Sequence, residues 1–262
     1  MKLSQQNVSY SDKEDEGEEL DIRSPKLVPL ITYPHYSESE YKDRIMEMES
    51  LGITSIILGG KTIVNNVPIY GKGCVGIVVK AKEGSKVCAL KIRRTDSDRK
   101  TMDNEARFQK IANSTGVGPS LQGHTKNLIA MELVTGQRII DWVGNNKTTK
   151  SKKRTVVRAI LEQCFSLDAV GLDHGELSRL ARHVIVSDRP SIIDFESAST
   201  TRKTCNVTAA TQSIFLYGII ANKVRKSLGN TDREKVIHAL RTYKKIHTRA
   251  NFDAVLDSLL LI

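Results

Sequence analysis

Asp194 closes the β-branched run Ser191-Ile192-Ile193, and a carboxylate at such a strand end can carry a hard cation or simply begin a turn. Lys91 lies inside the apolar run Val87 to Ile92, where an ammonium is costly unless it reaches an anion; a pair of phosphate oxygens is one such anion. Glu105 interrupts a helical stripe formed by Met102, Phe108 and Ala112, so it wants a cation, and Lys91 is the natural one. Gly71, Gly73 and Gly76 fit a loop whose backbone amides approach phosphate oxygens closely, because a side chain there would hold the ligand away. Taken one at a time, a plain glycine hairpin, a lysine snorkelling from an edge strand and an exposed helix glutamate account for the same residues. Glu176, after Leu172-Asp173-His174-Gly175, and Asp194 stand at opposite ends of one loop-hairpin unit, so that two acids could serve one site.

These residues need elements to hold them. The pattern predicts a helix over residues 41–51, with Ile45, Met48 and Leu51 at helical spacing and Gly52 as its stop. From residue 53 the period becomes strand-like. Gly59-Gly60 reads as a hairpin between Ile56-Ile57-Leu58 and Thr62-Ile63-Val64, and Asn65-Asn66 and Gly84-Ser85 read as further turns. Because Ile77-Val78-Val79 continues a strand after the glycines, a dinucleotide-binding fold is excluded; that fold needs a helix there. A helix over 97–112 capped by Ser97 or Asp98, strands over 120–122 and 128–134, and a chain that leaves the sheet at Gly136 complete the first half. The second half predicts a long helix through Val156 and Phe165, a hairpin of 184–186 with 191–193, one helix over 211–228, a capping box at Thr231 to Glu234, and a last helix over 252–261.

Composition sets the frame. The formal charge of +10 is unevenly spread: residues 12–21 are dominated by carboxylates, which predicts a disordered acidic tail over 1–24 and leaves the rest strongly basic. Pro25, Pro29 and Pro34 predict an extended stretch after it. The basic excess favours anionic partners, an acidic protein or RNA among them, although the run 145–154 and the helices carrying Lys223, Arg225, Arg241 and Lys245 read first as solvated surface. No run is long enough for a membrane span, the longest apolar stretch (214–221) suits a buried helix, and the start lacks a signal-peptide core, so a cytoplasmic location is expected. The four cysteines are too scattered for a zinc ribbon and read as buried thiols.

In order along the chain, these motifs resemble the protein-kinase-like superfamily, in particular the small atypical archaeal serine/threonine kinases akin to the RIO and Bud families. Gly71-x-Gly73-x-x-Gly76-x-Val78 is similar to the glycine-rich loop, Cys88-Ala89-Leu90-Lys91 to the ATP-binding lysine strand, and Asn104-Glu105-Ala106-Arg107 to the helix whose glutamate pairs with that lysine. Met131-Glu132-Leu133-Val134-Thr135-Gly136 resembles the hinge, with Asp141 near the ribose; His174-Gly175-Glu176-Leu177 resembles the catalytic loop and Ile193-Asp194-Phe195 the metal-binding motif.

The resemblance implies an α+β, bilobal fold: an N-terminal lobe over 25–135 of antiparallel sheet plus helix, and a reduced, mostly helical C-terminal lobe over 136–262. It implies ATP and magnesium, with manganese as the alternative ion, and a protein substrate offering Ser or Thr hydroxyls, this chain's own included. Lys91, Glu176 and Asp194 would be catalytic. Ala89, Val78, Met131, Glu132, Leu133 and Asp141 would surround the nucleotide, and Asp194 would hold the metal, with His183 in the second ligand position. Glu176 stands where the family has aspartate, which predicts slower catalysis. Glu196 replaces the usual glycine after Phe195. The other functions open to the same residues are a nucleotide-binding pseudokinase or scaffold and an RNA-associated regulatory factor.

Overall fold

Strand β6 (Gly76–Glu83) and strand β7 (Lys86–Arg93) pair antiparallel over their whole length, and the two-residue turn between them is Gly84-Ser85, with Gly84 at φ +60°. The structure, a computed structural model, describes residues 17–261. It is a mixed α+β chain whose described residues divide into two units: 17–110 with 119–136, and 111–118 with 137–261.

In the first unit a seven-stranded antiparallel sheet runs β1 (Glu19–Asp21), β2 (Ile53–Ile57), β6, β7, β9 (Leu128–Met131), β8 (Leu121–His124), with β5 (Gly71–Lys72) pairing β6. Alternation sorts its faces. Ile77, Val79, Ala81, Cys88, Leu90, Ile92, Leu128 and Ala130 belong to the core that also takes Leu27, Leu30, Ile31, Ile45 and Met48 from short helix α1 (Val28–Ile31), helix α2 (Glu38–Ser50) and the turn before them. Val75 and Ile129 instead pack with Met102 and Ala106 at the start of helix α3 (Asp103–Asn113). Lys91 pairs in register with Val78 and Ile129, so its side chain leaves the sheet on this second face.

Several expectations for this unit change. Residues 1–16 lie outside the described residues, but Glu19–Asp21 of the supposed tail forms β1, because Leu20 is paired with Ile56 and the Glu18 carbonyl before it accepts from the Leu58 N–H at 2.9 Å. Pro25 and Pro29 open helical turns, where a missing N–H costs nothing, in place of an extended stretch. Gly59-Gly60 is no hairpin. Strand β2 pairs with β1 and β6, and β3 (Thr62–Val64) pairs with β4 (Val67–Ile69) through Asn65 and Asn66, both left-handed. A Cβ on Gly60 would fall 2.2 Å from the Ile69 carbonyl oxygen, so glycine is there for a close crossing. Helix α3 begins later than residue 97: the Ser97 N–H is used by the Arg94 carbonyl, which makes a turn of the expected cap. Strand β9 stops at Met131, and Cys74 is exposed where a buried thiol was expected.

The second unit is mostly helical. Strands β10 (Gln137–Arg138), β11 (Val184–Val186) and β12 (Pro190–Ile192) form a small sheet; α4 (Ile139–Val143) follows β10, and α5 (Lys150–Ala169) buries Val156, Val157, Ile160, Leu161, Cys164 and Leu167. The basic run before α5 is not wholly solvated, since Lys153 is buried with Nζ 3.2 Å from Ser227 Oγ.

Helices α6 (Asn206–Thr211), α7 (Gly218–Leu228), α8 (Arg233–Lys245) and α9 (Arg249–Ser258) complete it. The helix expected over 211–228 is interrupted: Gln212–Leu216 winds as a π-turn, Tyr217 is extended and Gly218 takes φ +87°. The apolar run across this break therefore exposes Tyr217 and Ile219. Asp232, not Thr231, caps α8, accepting from the Glu234 and Lys235 N–H groups. Among the described residues no helix is long and apolar enough to cross a membrane.

Candidate functional sites, one in each unit

In the first unit, Lys91 Nζ lies 2.7 Å from Glu105 Oε1, and the two side chains are 6% and 4% exposed. Strand β7 supplies the lysine and the first turn of α3 the glutamate; Met102 and Ala106, on either side of Glu105, pin the helix to the face that carries Lys91. The glycine hairpin stands over this lysine. A Cβ on Gly76 would sit 3.1 Å from Lys91 Cγ and 2.9 Å from the Ile92 carbonyl oxygen, so only glycine lets the hairpin approach so closely. Gly71 pairs with Val78, and the Gly73 N–H donates to the Gly76 carbonyl at 2.8 Å, a strand-turn-strand arrangement.

A bracket that sequence patterning misses holds the turn. The Arg94 N–H donates to the Val75 carbonyl at 2.8 Å and its Nη1 to the Gly73 carbonyl at 3.1 Å, while Asp96 anchors the same guanidinium and keeps it firmly charged. Tyr33 lies under both Arg94 and Lys72, whose Nζ is 2.6 Å from the Tyr33 hydroxyl. Ala89 is buried beside half-buried Met131, and Val78 is half-buried on the Lys91 face. Past Met131, the exposed Glu132 returns to Ser120, accepting from its N–H at 3.1 Å, and Leu133 is half-buried.

In the second unit, Glu176, His183 and Asp194 come together. His183 Nε2 is 3.1 Å from Glu176 Oε2, and its Nδ1 is 3.9 Å from Asp194 Oδ2. The ring is buried between two half-buried carboxylates, and neither of its nitrogens makes a hydrogen bond among the described residues. Glu176 Oε1 also accepts a hydrogen bond from Ser197 Oγ at 2.6 Å, and that bond, helped by His183, holds its carboxyl below the usual range. Asp194 sits at φ +71°, a conformation few residues other than glycine adopt, two residues past the end of β12. Phe195 is buried against Gly118, where a Cβ would come within 2.7 Å of the ring. Asp194 and Glu196 each present a carboxylate oxygen, the two within 4.8 Å of each other, and such an oxygen pair fits a hard cation. Asp141 is exposed in the first turn of α4.

What fixes the loop before Glu176 is a buried network that no local motif announces. Asp168 Oδ1 accepts from the N–H and Nδ2 of Asn206 (2.9 and 2.8 Å), and Oδ2 accepts from Val207 N–H and the Tyr243 hydroxyl (3.2 and 2.9 Å). Burial nevertheless holds Asp168 above the ordinary carboxylate range, and burial beside Asp168 pushes Tyr243 up. Asn206 passes the constraint on, donating to the Leu172 carbonyl and accepting from the His174 N–H at 2.9 Å. Burial, then the neighbouring His183, lowers His174 to about 4; its Nε2 faces the Ile193 carbonyl at 3.1 Å. The signal in the sequence was only a buried-looking Asp on α5 and an Asn at a helix start.

No family model matches the chain. An uncharacterized protein of the archaeon Methanocaldococcus jannaschii is 31% identical over 118 residues, a stretch that makes up 44% of this chain and the whole of that protein.

Proposed function

The chain belongs to the family of that uncharacterized archaeal protein, and we propose that it is an ATP-dependent phosphotransferase of the protein-kinase-like kind, acting on serine or threonine hydroxyls. The bilobal kinase-like architecture is part of the same proposal. The observation that carries it is the Lys91–Glu105 pair, buried at 2.7 Å beneath a glycine hairpin that tolerates no side chain at Gly76. A lysine so placed is costly to desolvate, and a buried ion pair is by itself a weak source of stability. Serving an anionic ligand gives it a reason to be there.

In this reading Lys91, oriented by Glu105, binds phosphate oxygens, and the backbone of the Gly71 to Gly76 hairpin covers them. Met131, Glu132 and Leu133 would meet the base and Asp141 the ribose. Asp194 and Glu196 would hold magnesium, which when bound neutralises triphosphate charge. Glu176 takes the proton of the attacking hydroxyl, with His183 steering its carboxylate. The assignment of both clusters to one reaction rests on the resemblance. Incubation with magnesium and γ-labelled ATP, beside Lys91→Ala and Asp194→Ala variants, tests it. Label transfer or release is expected from the parent protein and not from the variants; equal signals in all three would sink the enzyme reading.

A further inference from the structure

Glu176 already holds a hydroxyl. Ser197 Oγ donates to Glu176 Oε1 at 2.6 Å, so the carboxylate assigned to receive an acceptor's proton is in contact with an acceptor of the right chemical class from its own chain. We propose that Ser197 is an intramolecular phosphorylation site, the hydroxyl to which this protein transfers a phosphoryl group from ATP. The inference rests on the phosphotransferase reading above and names its first acceptor.

The placement of Ser197 is built, not incidental. On one side Phe195 is buried and its carbonyl accepts from the Ala198 N–H at 3.1 Å; on the other, Ser199 and Asp173 exchange backbone hydrogen bonds at 2.8 and 2.9 Å. The turn is thus tied down two residues either side of the hydroxyl. Neighbouring hydroxyls are differently employed: Ser199 Oγ lies 3.1 Å from Thr201 Oγ1 and accepts from the Thr201 and Arg202 N–H groups. Ser197 itself is half-buried, as are Asp194 and Glu196 close to it in sequence, and it is not sealed off.

The step balances. Ser197 Oγ attacks the γ-phosphorus of ATP, its proton passes to Glu176 Oε1, the bond from the γ-phosphorus to the β,γ-bridging oxygen breaks, and ADP leaves as phosphoserine forms. The product then carries close to two negative charges against Glu176, and like-charge repulsion opposes a second transfer through the same carboxylate. Arg202, whose Nε is paired with Asp173 Oδ2 at 2.9 Å, lies beside Ser197, with Nη2 donating to the Ser197 carbonyl at 2.6 Å. Transfer should therefore stop at one phosphate per chain.

The test is mass spectrometry of the full chain, freed of phosphate beforehand, after incubation with magnesium and ATP. One phosphate is expected, mapped to Ser197, forming at a rate independent of protein concentration. Ser197→Ala should abolish it, Ser197→Thr should retain it by keeping a hydroxyl, and Glu176→Gln should slow it by about a hundredfold or more. ATP consumption with Ser197 unmodified, or with phosphate on other residues, overturns the site while leaving the phosphotransferase reading standing. A rate that grows with protein concentration overturns the intramolecular step. No ATP consumption by any form removes the phosphotransferase reading, and the site with it.

Discussion

The Lys91–Glu105 pair in the first unit and the Glu176–His183–Asp194 set in the second are both clusters of ionisable side chains, but they are made differently. Lys91 and Glu105 sit on a regular strand and a regular helix and are almost wholly buried, at 6% and 4% exposure. The carboxylates of Glu176 and Asp194 are 28% and 33% exposed, and both follow irregular backbone: Gly175 at φ +87° and Asp194 itself at +71°. Regular elements let a charge pair be sealed from water, which raises the cost of breaking it. Loops held by a distant network leave their carboxylates open to a ligand and able to lose a charge cheaply.

The contrast is sharpest in stability. Glu105→Leu takes a carboxylate away from the buried Lys91 ammonium and should cost about 3–5 kcal/mol in urea unfolding, whereas the double variant Lys91→Met, Glu105→Leu should recover most of the loss. Glu176→Gln keeps a partner for Ser197 at an open position and should stay within about 1 kcal/mol of the parent. Equal losses for Glu105→Leu and Glu176→Gln would erase the distinction between a sealed pair and an open set.

The second unit has sealed groups of its own, and pH reveals one of them, His174. Its folded value of about 4 lies below the ordinary histidine range because burial, then His183, disfavours the charged ring; Asp194 and Glu176 act the other way without prevailing. Its Nδ1 is buried with no hydrogen-bond partner among the described residues. The folded state therefore binds fewer protons than the unfolded chain, so this contribution is complete above the unfolded value near 6.5 and is lost as pH falls toward 4, amounting to roughly 3 kcal/mol. Urea melts across that window should show the slope in the parent and a shallower one in His174→Gln. Equal slopes would mean that His174 is not the group responsible.

The same contrast explains what could be read from the sequence. The stripe of Met102, Glu105, Phe108 and Ala112 and the alternation of β7 are local periodicities, so the meeting of Lys91 with Glu105 was legible before any coordinates. The turns at Asn65-Asn66 and Gly84-Ser85 were legible for the same reason. Gly59-Gly60 misled because a glycine that permits a close crossing looks the same in sequence as one that permits a tight turn. The break at Tyr217 was hidden because the run from Ile214 to Ala221 is apolar throughout, and Gly218 alone does not announce a left-handed turn. Asp168, Asn206 and Tyr243 are 38 and 75 residues apart at their contacts, and Ser197 reaches Glu176 across 21. No local period encodes such pairs.

Glycine substitutions probe both regions through close contacts. Alanine at Gly76 would place Cβ 2.9 Å from the Ile92 carbonyl oxygen, inside a strand that cannot easily move, so a loss of about 1–3 kcal/mol is expected together with weaker ATP binding. Gly175→Ala meets the Ser197 carbonyl at 2.6 Å and adds the strain of φ +87°, which places it at the upper end of that range. Thermal unfolding and ATP-induced stabilisation, measured on both variants, separate the effects. Gly76→Ala should lose the ATP response more than its stability, and the reverse result would make the hairpin a structural feature only.

The smallest effect concerns Asp194, where the open region stores backbone strain under a carboxylate. A left-handed residue other than glycine costs roughly 1–2 kcal/mol. Glycine relieves that cost but adds about 0.5–1 kcal/mol of unfolded-state entropy and gives up the carboxylate's own contacts, so Asp194→Gly should stay within about 1 kcal/mol of the parent. Asp194→Ala keeps the strain and loses the local hydrogen bonding that lets Asp adopt this conformation, so it should fall about 1 kcal/mol below glycine. Both should lack ATP turnover. A position where removal of the carboxylate is free in stability and total in activity is one kept for its chemistry. If glycine proves less stable than alanine, the Asp194 carboxylate is holding the fold, and the second region is more like the first than its exposure suggests.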